Sequence, residues 1–285
     1  MTMVVAATLF GAMAFSAKLA SARLSGTEVA LIRMTIGLLP CTVIPRYRRA
    51  ALHFQRWDLI LYRGIFGGIA VMLYFLAIQH TTAGIATLLQ YTAPIWSGMF
   101  SMLFIGERAS PRVVVPLIVA FTGIVLVLRA DALGFGIWEI AGLCGGAASG
   151  AAVTAMRAAR RAENSWSVYA SFCFFGLIVN APIALREWMT PVGREWLWLG
   201  ATAIFAMGAQ LLLTFSLRWV DAMTVGVISQ LAVLISLALG AIFLDEKLTI
   251  MTAFGAALTI LGVVGVTYVT SLGKREAADE IVPEA

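Results

Sequence analysis

Gln90, Pro94, Ser97 and Ser101 follow one another at spacings of four, three and four, so a helix carries them on one face. The chemistry open to that stripe is hydrogen bonding. One amide and two hydroxyls offer donors and acceptors to a bound solute, and Pro94 removes a backbone bond and frees a carbonyl beside them. The neighbouring Tyr91 and Trp96 supply aromatic walls. A matching row returns in Ser229, Val233, Ser236 and Gly240, with Gln230 next to Ser229, and Gln210 stands one turn before Thr214. Two buried amides, Gln90 and Gln230, suit a polar uncharged or zwitterionic head group, because an unpaired amide in hydrocarbon is costly. Helix packing accounts for the same groups equally well, since small residues let backbones approach and amides bond across helices. Tyr74, with Phe75, is a candidate gate or substrate wall; an interfacial or lipid-facing place is the alternative.

Bond-making chemistry has little to run on. The two histidines, His53 and His80, fall in a basic loop and at a helix end, and there is no HExxH, paired-Asp motif or nucleophile–base pair. The chain therefore reads as no enzyme, with no catalytic residue, no metal site and no cofactor. Cys41, Cys144 and Cys173 all lie in apolar runs without ligand spacing and read as small buried hydrophobes. Glu139, near a span end, is either interfacial or a proton-coupling carboxylate. Arg33 and Arg63 lie close enough to span ends to snorkel, although Arg33 is deep enough to want a partner.

The elements that must position these groups are membrane helices. Of the 285 residues 61% are hydrophobic and 12% charged, with mean hydropathy +0.92, whereas a soluble domain is about a quarter charged. Ten apolar runs are expected to span, at roughly 2–19, 27–45, 58–79, 82–105, 111–129, 135–156, 166–185, 196–217, 222–244 and 249–270. They lack the two-residue alternation of barrel strands. The fold class is an all-α polytopic membrane protein. Ala20-Ser21-Ala22 mimics a signal cleavage site, but no basic segment precedes the first run. Trp196, Trp198 and Trp219 read as an interfacial belt. The charged tail from Lys274 onward reads as disordered. Gly142, Gly146 and Gly150 form overlapping GxxxG patterns, a close-packing face.

The runs fall into two copies. Glu107 and Glu246 lie 139 positions apart, and the same offset puts Ala83 on Ala222, Phe104 on Phe243, Ser110 on Thr249 and Gly123 on Gly262. Residues 1–130 form the first copy, 135–271 the second and 272–285 a cytoplasmic tail. Ser110 and Thr249 are expected to cap the helices that follow, with Glu107 and Glu246 in structural turns. With the N-terminus inside, the inner loops hold twelve Lys and Arg and the outer loops six, which places both termini in the cytoplasm. Five helices per copy is odd, so the copies insert upside down relative to each other, an architecture of secondary transporters. The net charge of +5 reflects this loop bias and implies no nucleic acid.

The run Tyr62–Ser110, with its Arg-Gly entry, its aromatic stretch, Thr-Ala-Pro and Gly-Glu-Arg-x-Ser, resembles the EamA branch of the drug/metabolite transporter superfamily. Ala30-Leu31-Ile32-Arg33 and Asp245-Glu246-Lys247-Leu248-Thr249 fit the same family, while Val233 departs from it by standing where the first copy has Pro94. The resemblance implies ten helices as two inverted five-helix repeats, with a central cavity lined largely by helices 3, 4, 8 and 9. The expected function is secondary transport of small organic metabolites or drugs across the cell membrane by alternating access, with export favoured. A passive channel or facilitator is the alternative, and a membrane enzyme a weaker one. The expected substrate-binding residues are Tyr74, Gln90, Tyr91, Pro94, Trp96, Gln210, Ser229 and Gln230. Expected partners are a small-molecule substrate, the lipid bilayer and a coupling ion, the proton being the candidate; the protein is a monomer or homodimer.

Overall fold

The structure is a computed structural model and describes residues 2–51, 55–105, 111–128, 136–159, 163–216 and 222–279. All regular elements among them are helical. In chain order they are α1 (Thr2–Ala20), α2 (Gly26–Val43), the short α3 (Pro45–Ala51), α4 (Trp57–His80), α5 (Ala83–Gln90), α6 (Ala93–Ile105), α7 (Val114–Leu128), α8 (Ile137–Ala159), α9 (Ser165–Arg186), α10 (Glu195–Ser216), α11 (Ala222–Phe243) and α12 (Ile250–Asp279). Seven of the described helices are long and apolar enough to cross a membrane: α1, α2, α4, α9, α10, α11 and α12. The fourth expected span is divided into α5 and α6, the fifth is the fifteen-residue α7, and the sixth is α8, rich in Gly, Ala and Ser.

Local chemistry sets the helix starts. Thr82 accepts from the Ile85 amide at 3.1 Å and opens α5. Asn164 accepts from the Trp166 and Ser167 amides at 2.8 and 2.9 Å and opens α9. Thr249 accepts from the Thr252 amide at 3.1 Å and opens α12, the expected cap. Its first-copy counterpart Ser110, like Glu107, His53 and Trp219, lies outside the described residues. Two expectations need correction. α12 continues to Asp279, so the first residues of the tail are helical rather than disordered. Cys144 is exposed, because it faces away from the glycine side of α8.

The helices interleave rather than forming two separate bundles. α1 packs on α10 and α4 on α8; α2 packs on α9, α5 on α11 and α7 on α12. One apolar core is drawn from α1, α2, α4, α9 and α10, and a second from α5, α7, α11 and α12. With no hydrophobic drive between helices in lipid, such contacts rest on close packing. Small residues supply it: Gly123 of α7 faces Thr259 of α12, and Ala120 faces Gly262.

Candidate functional site

The break between α5 and α6 organises the site. α5 ends at Gln90, Tyr91 donates its amide to the Thr87 carbonyl at 2.9 Å, and the regular ladder stops at Tyr91–Thr92. Pro94 lies in the first turn of α6, where a missing N–H costs nothing. It helps start a new helix rather than sitting inside a continuous one. Its ring nitrogen cannot donate to the Gln90 carbonyl four residues back. Against this break lies the glycine face of α8, and a Cβ at residue 146 would strike the Leu89 carbonyl and the Thr92 hydroxyl. The expected GxxxG packing thus has a specific partner.

A cavity of about 150 Å³ opens beside the break. Gln90, Tyr91, Ala93 and Pro94 form one wall. α1 contributes Phe10 and Met13, α4 contributes Gly67, Val71 and Tyr74, and α8 contributes Ser149, Val153 and Met156. Phe172 of α9, Gln210 and Leu213 of α10, and Val225 and Ser229 of α11 complete it. The lining therefore draws on more helices than the four implied by resemblance.

Six of the eight expected residues meet here: Tyr74, Gln90, Tyr91, Pro94, Gln210 and Ser229. Tyr74 is buried, and its hydroxyl lies 2.9 Å from that of Thr87, itself 3.1 Å from Ser236 Oγ. Gln90 Oε1 is buried with no hydrogen-bond partner. Gln210 Nε2 has only the Met156 sulfur, at 3.8 Å. The other two stand apart. Trp96 does not line the cavity; its indole N–H donates to Thr92 Oγ1 at 3.1 Å and its ring meets Phe121 edge-on. Gln230 also lies outside the lining, and its Nε2 reaches the Tyr91 carbonyl and the Gly226 carbonyl, each at 3.4 Å. It props the break from behind. Ser97 bonds Thr154 at 2.7 Å, which is packing between α6 and α8. Ser101 lies in α6, its side chain outside the description.

Sequence reasoning misplaced two residues. Arg33 and Arg63 do not snorkel; they are 6% and 4% exposed and both line the cavity. Each guanidinium lies over the Phe172 ring, at 5.6 and 4.3 Å from its centroid, and Arg33 also lies 5.6 Å from Phe75. Arg63 Nε has no hydrogen-bond partner, and no carboxylate among the described residues pairs with either arginine. Gly67 makes the room: a Cβ there would strike the Arg63 guanidinium. A guanidinium stays charged in a protein. Taking one out of water costs several kcal/mol, and a desolvated cation–π contact returns about 2 kcal/mol or more without supplying a counterion. The cavity is thus an unbalanced cationic site. The available signal was the depth of Arg33, seven residues into α2.

One end of the molecule is tied shut. Lys18 donates to the carbonyls of Ile78, Gln79 and Thr81, the orphan acceptors at the end of α4. Glu246 accepts from the Ala83 amide at 2.9 Å, at the start of α5. Arg23 holds Glu195 through two bonds of 2.6 Å and donates to the Thr190 carbonyl at 2.8 Å, and Ser25 donates to Glu187 at 3.0 Å. The Glu195 carboxylate keeps the Arg23 guanidinium pKa raised. Burial pushes the Glu246 carboxyl up, against the opposing pull of the Ala83 amide and Lys18. The cavity is central on α4 but lies in the half away from this end on three other helices: Phe172 is near the start of α9, Gln210 and Leu213 near the end of α10, and Val225 and Ser229 near the start of α11.

Interleaved apolar helices around an internal, largely apolar cavity with a few polar groups, tied at one end, are the arrangement of a membrane transporter, and the comparisons agree. The model of the EamA-like transporter family matches residues 1–129 and again 136–268. The chain belongs to the EamA-like transporter family. It is 25% identical over 266 residues to the pseudopaline exporter CntI of Pseudomonas aeruginosa, covering 93% of this chain and 94% of that one. It is 27% identical over 244 residues to human solute carrier family 35 member G1, covering 80% and 67%. A crystal structure at 23% identity matches with a TM-score of 0.65 over 96% of this chain and 97% of that one, a likeness of fold.

Proposed function

We propose that the protein is a secondary carrier that binds a small organic solute in the cavity beside the α5–α6 break and exports it by alternating access. The observation that carries this is an asymmetry: a cavity that starts at mid-helix and extends along α9, α10 and α11 toward one end, and at the opposite end a set of charged and backbone ties. The tied end contains Lys18, Arg23 and Lys247, the side with fewer basic loop residues, and is assigned to the outside. The cavity then faces the cytoplasm, as a carrier loading its cargo would. The printed function of the Pseudomonas relative, an exporter, favours the outward direction.

The architecture assigned to the carrier is ten spans in two inverted repeats, with both termini cytoplasmic. The two separate family matches support it, as does the packing. Exchanging each helix for its counterpart turns the α1–α10 contact into the α8–α4 contact, and the Gly123–Thr259 contact into Gly262–Ala120. Tyr74, Gln90, Tyr91, Pro94, Gln210 and Ser229 are assigned to the substrate, with Trp96 and Gln230 supporting the wall from outside.

Efflux from proteoliposomes tests the reading. With an imposed pH gradient, a coupled carrier drives cargo below its equilibrium concentration on the loaded side; a passive facilitator only equalises the two sides. Gln90→Ala is expected to lower efflux at least tenfold with unchanged insertion and melting temperature. Normal efflux in that variant would remove Gln90 from the site.

A further inference from the structure

Resting on the reading of the cavity as the transport site, we propose that its cargo is an organic anion, whose carboxylate or phosphate sits between Arg33 and Arg63 at the Phe172 ring. Both guanidinium groups flank that one ring and both line the cavity. Among the described residues, neither has a carboxylate partner and no Asp, Glu or His lines the space. A buried cation without a counterion is a demand for one, and a guanidinium fork meets a carboxylate or phosphate two-handed. Arg63 Nε, buried and unbonded, is a donor still to be used. Gln90 Oε1, also unbonded and lying beside Gly145, is an acceptor and can serve only a donor elsewhere on the cargo, not its anionic group. Phe10, Met13, Val71 and Leu213 leave the remainder of the cargo an apolar environment. The zwitterionic head group expected from the two amides fits less well, because no carboxylate among the described residues lines the cavity to neutralise an ammonium beside the two arginines.

The test uses the full chain in proteoliposomes and in detergent, as wild type, Arg33→Gln, Arg63→Gln and Arg63→Lys. The vesicles are loaded with an equimolar mixture of dicarboxylates, sugar phosphates, neutral sugars and amides, and organic ammonium compounds. Mass spectrometry reads what leaves, and the melting temperature is taken with each compound singly. The expected losses are confined to carboxylates or phosphates, and which of the two leaves identifies the source of the charge. Each Gln variant raises the half-saturating concentration by about a hundredfold, and Lys, a point charge, restores part of it. Without ligand the Gln variants melt at or above the wild-type temperature, since an unpaired buried charge has been removed.

Efflux of neutral or ammonium compounds, or wild-type efflux from the Gln variants, overturns the proposal and leaves the transporter reading standing. Lower ligand-free melting of the Gln variants with unchanged anion affinity also overturns it, since the arginines are then packing groups. If nothing leaves but anions still raise the melting temperature of the wild type and not of the variants, the anion site stands and transport falls. If neither happens, both fall.

Discussion

The two halves of the chain place different chemistry at matching positions. At the offset of 139 residues, Arg33 corresponds to Phe172, Arg63 to Thr202, Gly67 to Ala206, Tyr91 to Gln230 and Pro94 to Val233. Two of these pairs touch each other: Arg33 lies over Phe172, and Gln230 reaches the Tyr91 carbonyl. The first half brings the cations and the broken helix. The second half brings an aromatic ring for one cation and an amide for the broken backbone, and its own α11 runs unbroken from Ala222 to Phe243. Duplicated halves of equal chemistry would give a site with the same group twice. Divergence at the positions nearest the partner copy gives one with a charged side and a supporting side.

The strongest way to break the comparison is to give the second half the first half's break. Val233 is fully buried in the interior of α11. Val233→Pro removes an interior backbone bond and sets a ring against the preceding turn, a cost of about 3 kcal/mol or more. The expected result is a large fall in melting temperature and poor insertion. A stable variant with normal efflux would mean that α11 tolerates the break, and that the two copies differ by history rather than by need.

The reverse exchange has a smaller effect on stability and a larger one on function. Pro94→Val supplies an N–H within reach of the Gln90 carbonyl, so α5 and α6 can fuse. Efflux is expected to fall about tenfold, with the melting temperature unchanged or higher, because a freed carbonyl has been returned to the ladder. Unchanged efflux would show that the turn at Tyr91–Thr92 is set by the glycine face of α8 rather than by proline. Gly67→Ala is subtler still. It copies Ala206 of the second half, displaces the Arg63 guanidinium and presses on Phe172. A several-fold rise in half-saturating cargo concentration with little change in maximal efflux is expected; equal losses in both would point to distortion of α4 as a whole.

Much of the fold was legible because bilayer crossing is written in hydropathy: apart from the short basic α3 and the extension of α12 to Asp279, each helix falls within a few residues of an apolar run. The site was legible only in part. Gln90, Tyr91 and Pro94 announced themselves as polar or helix-breaking residues in an apolar stretch. Trp96 did not betray that it faces Phe121, since neighbours on one helix turn point to different partners. Arg63 was the hardest. Counted along the chain it sits near a span end, but the space that buries it is made by Gly67 and by Phe172, which lies 109 residues away in sequence. No local pattern encodes that contact, whereas the offset that pairs Arg33 with Phe172 was already visible.

The smallest effect concerns the tied end, where the halves meet through Glu246 of the second and Ala83 of the first. Glu246 faces Lys18 of α1 and the start of α5, and its own amide donates to the Gly240 carbonyl. Burial dominates and lifts its pKa above the ordinary value of 4.5. The closed end therefore holds a proton on Glu246 more readily than an open end, in which water reaches the carboxylate. Acid favours closure, and as the outside pH rises from about 4.5 through the raised value the ionised group increasingly favours opening. Efflux should climb a few-fold across that window and level off above it. Glu246→Gln carries no titrating proton, so its efflux is expected to be flat with pH and near the acid-side rate of the wild type. If the variant keeps the same pH profile, the profile belongs to another group and Glu246 serves only as the cap on α5. The Lys18→Met variant separates the remaining possibilities: it removes the one cation that opposes burial, so the wild-type rise should move to higher pH. A rise that moves to lower pH would mean that Lys18 raises the Glu246 pKa through its hold on the end of α4, and that the two ties open together.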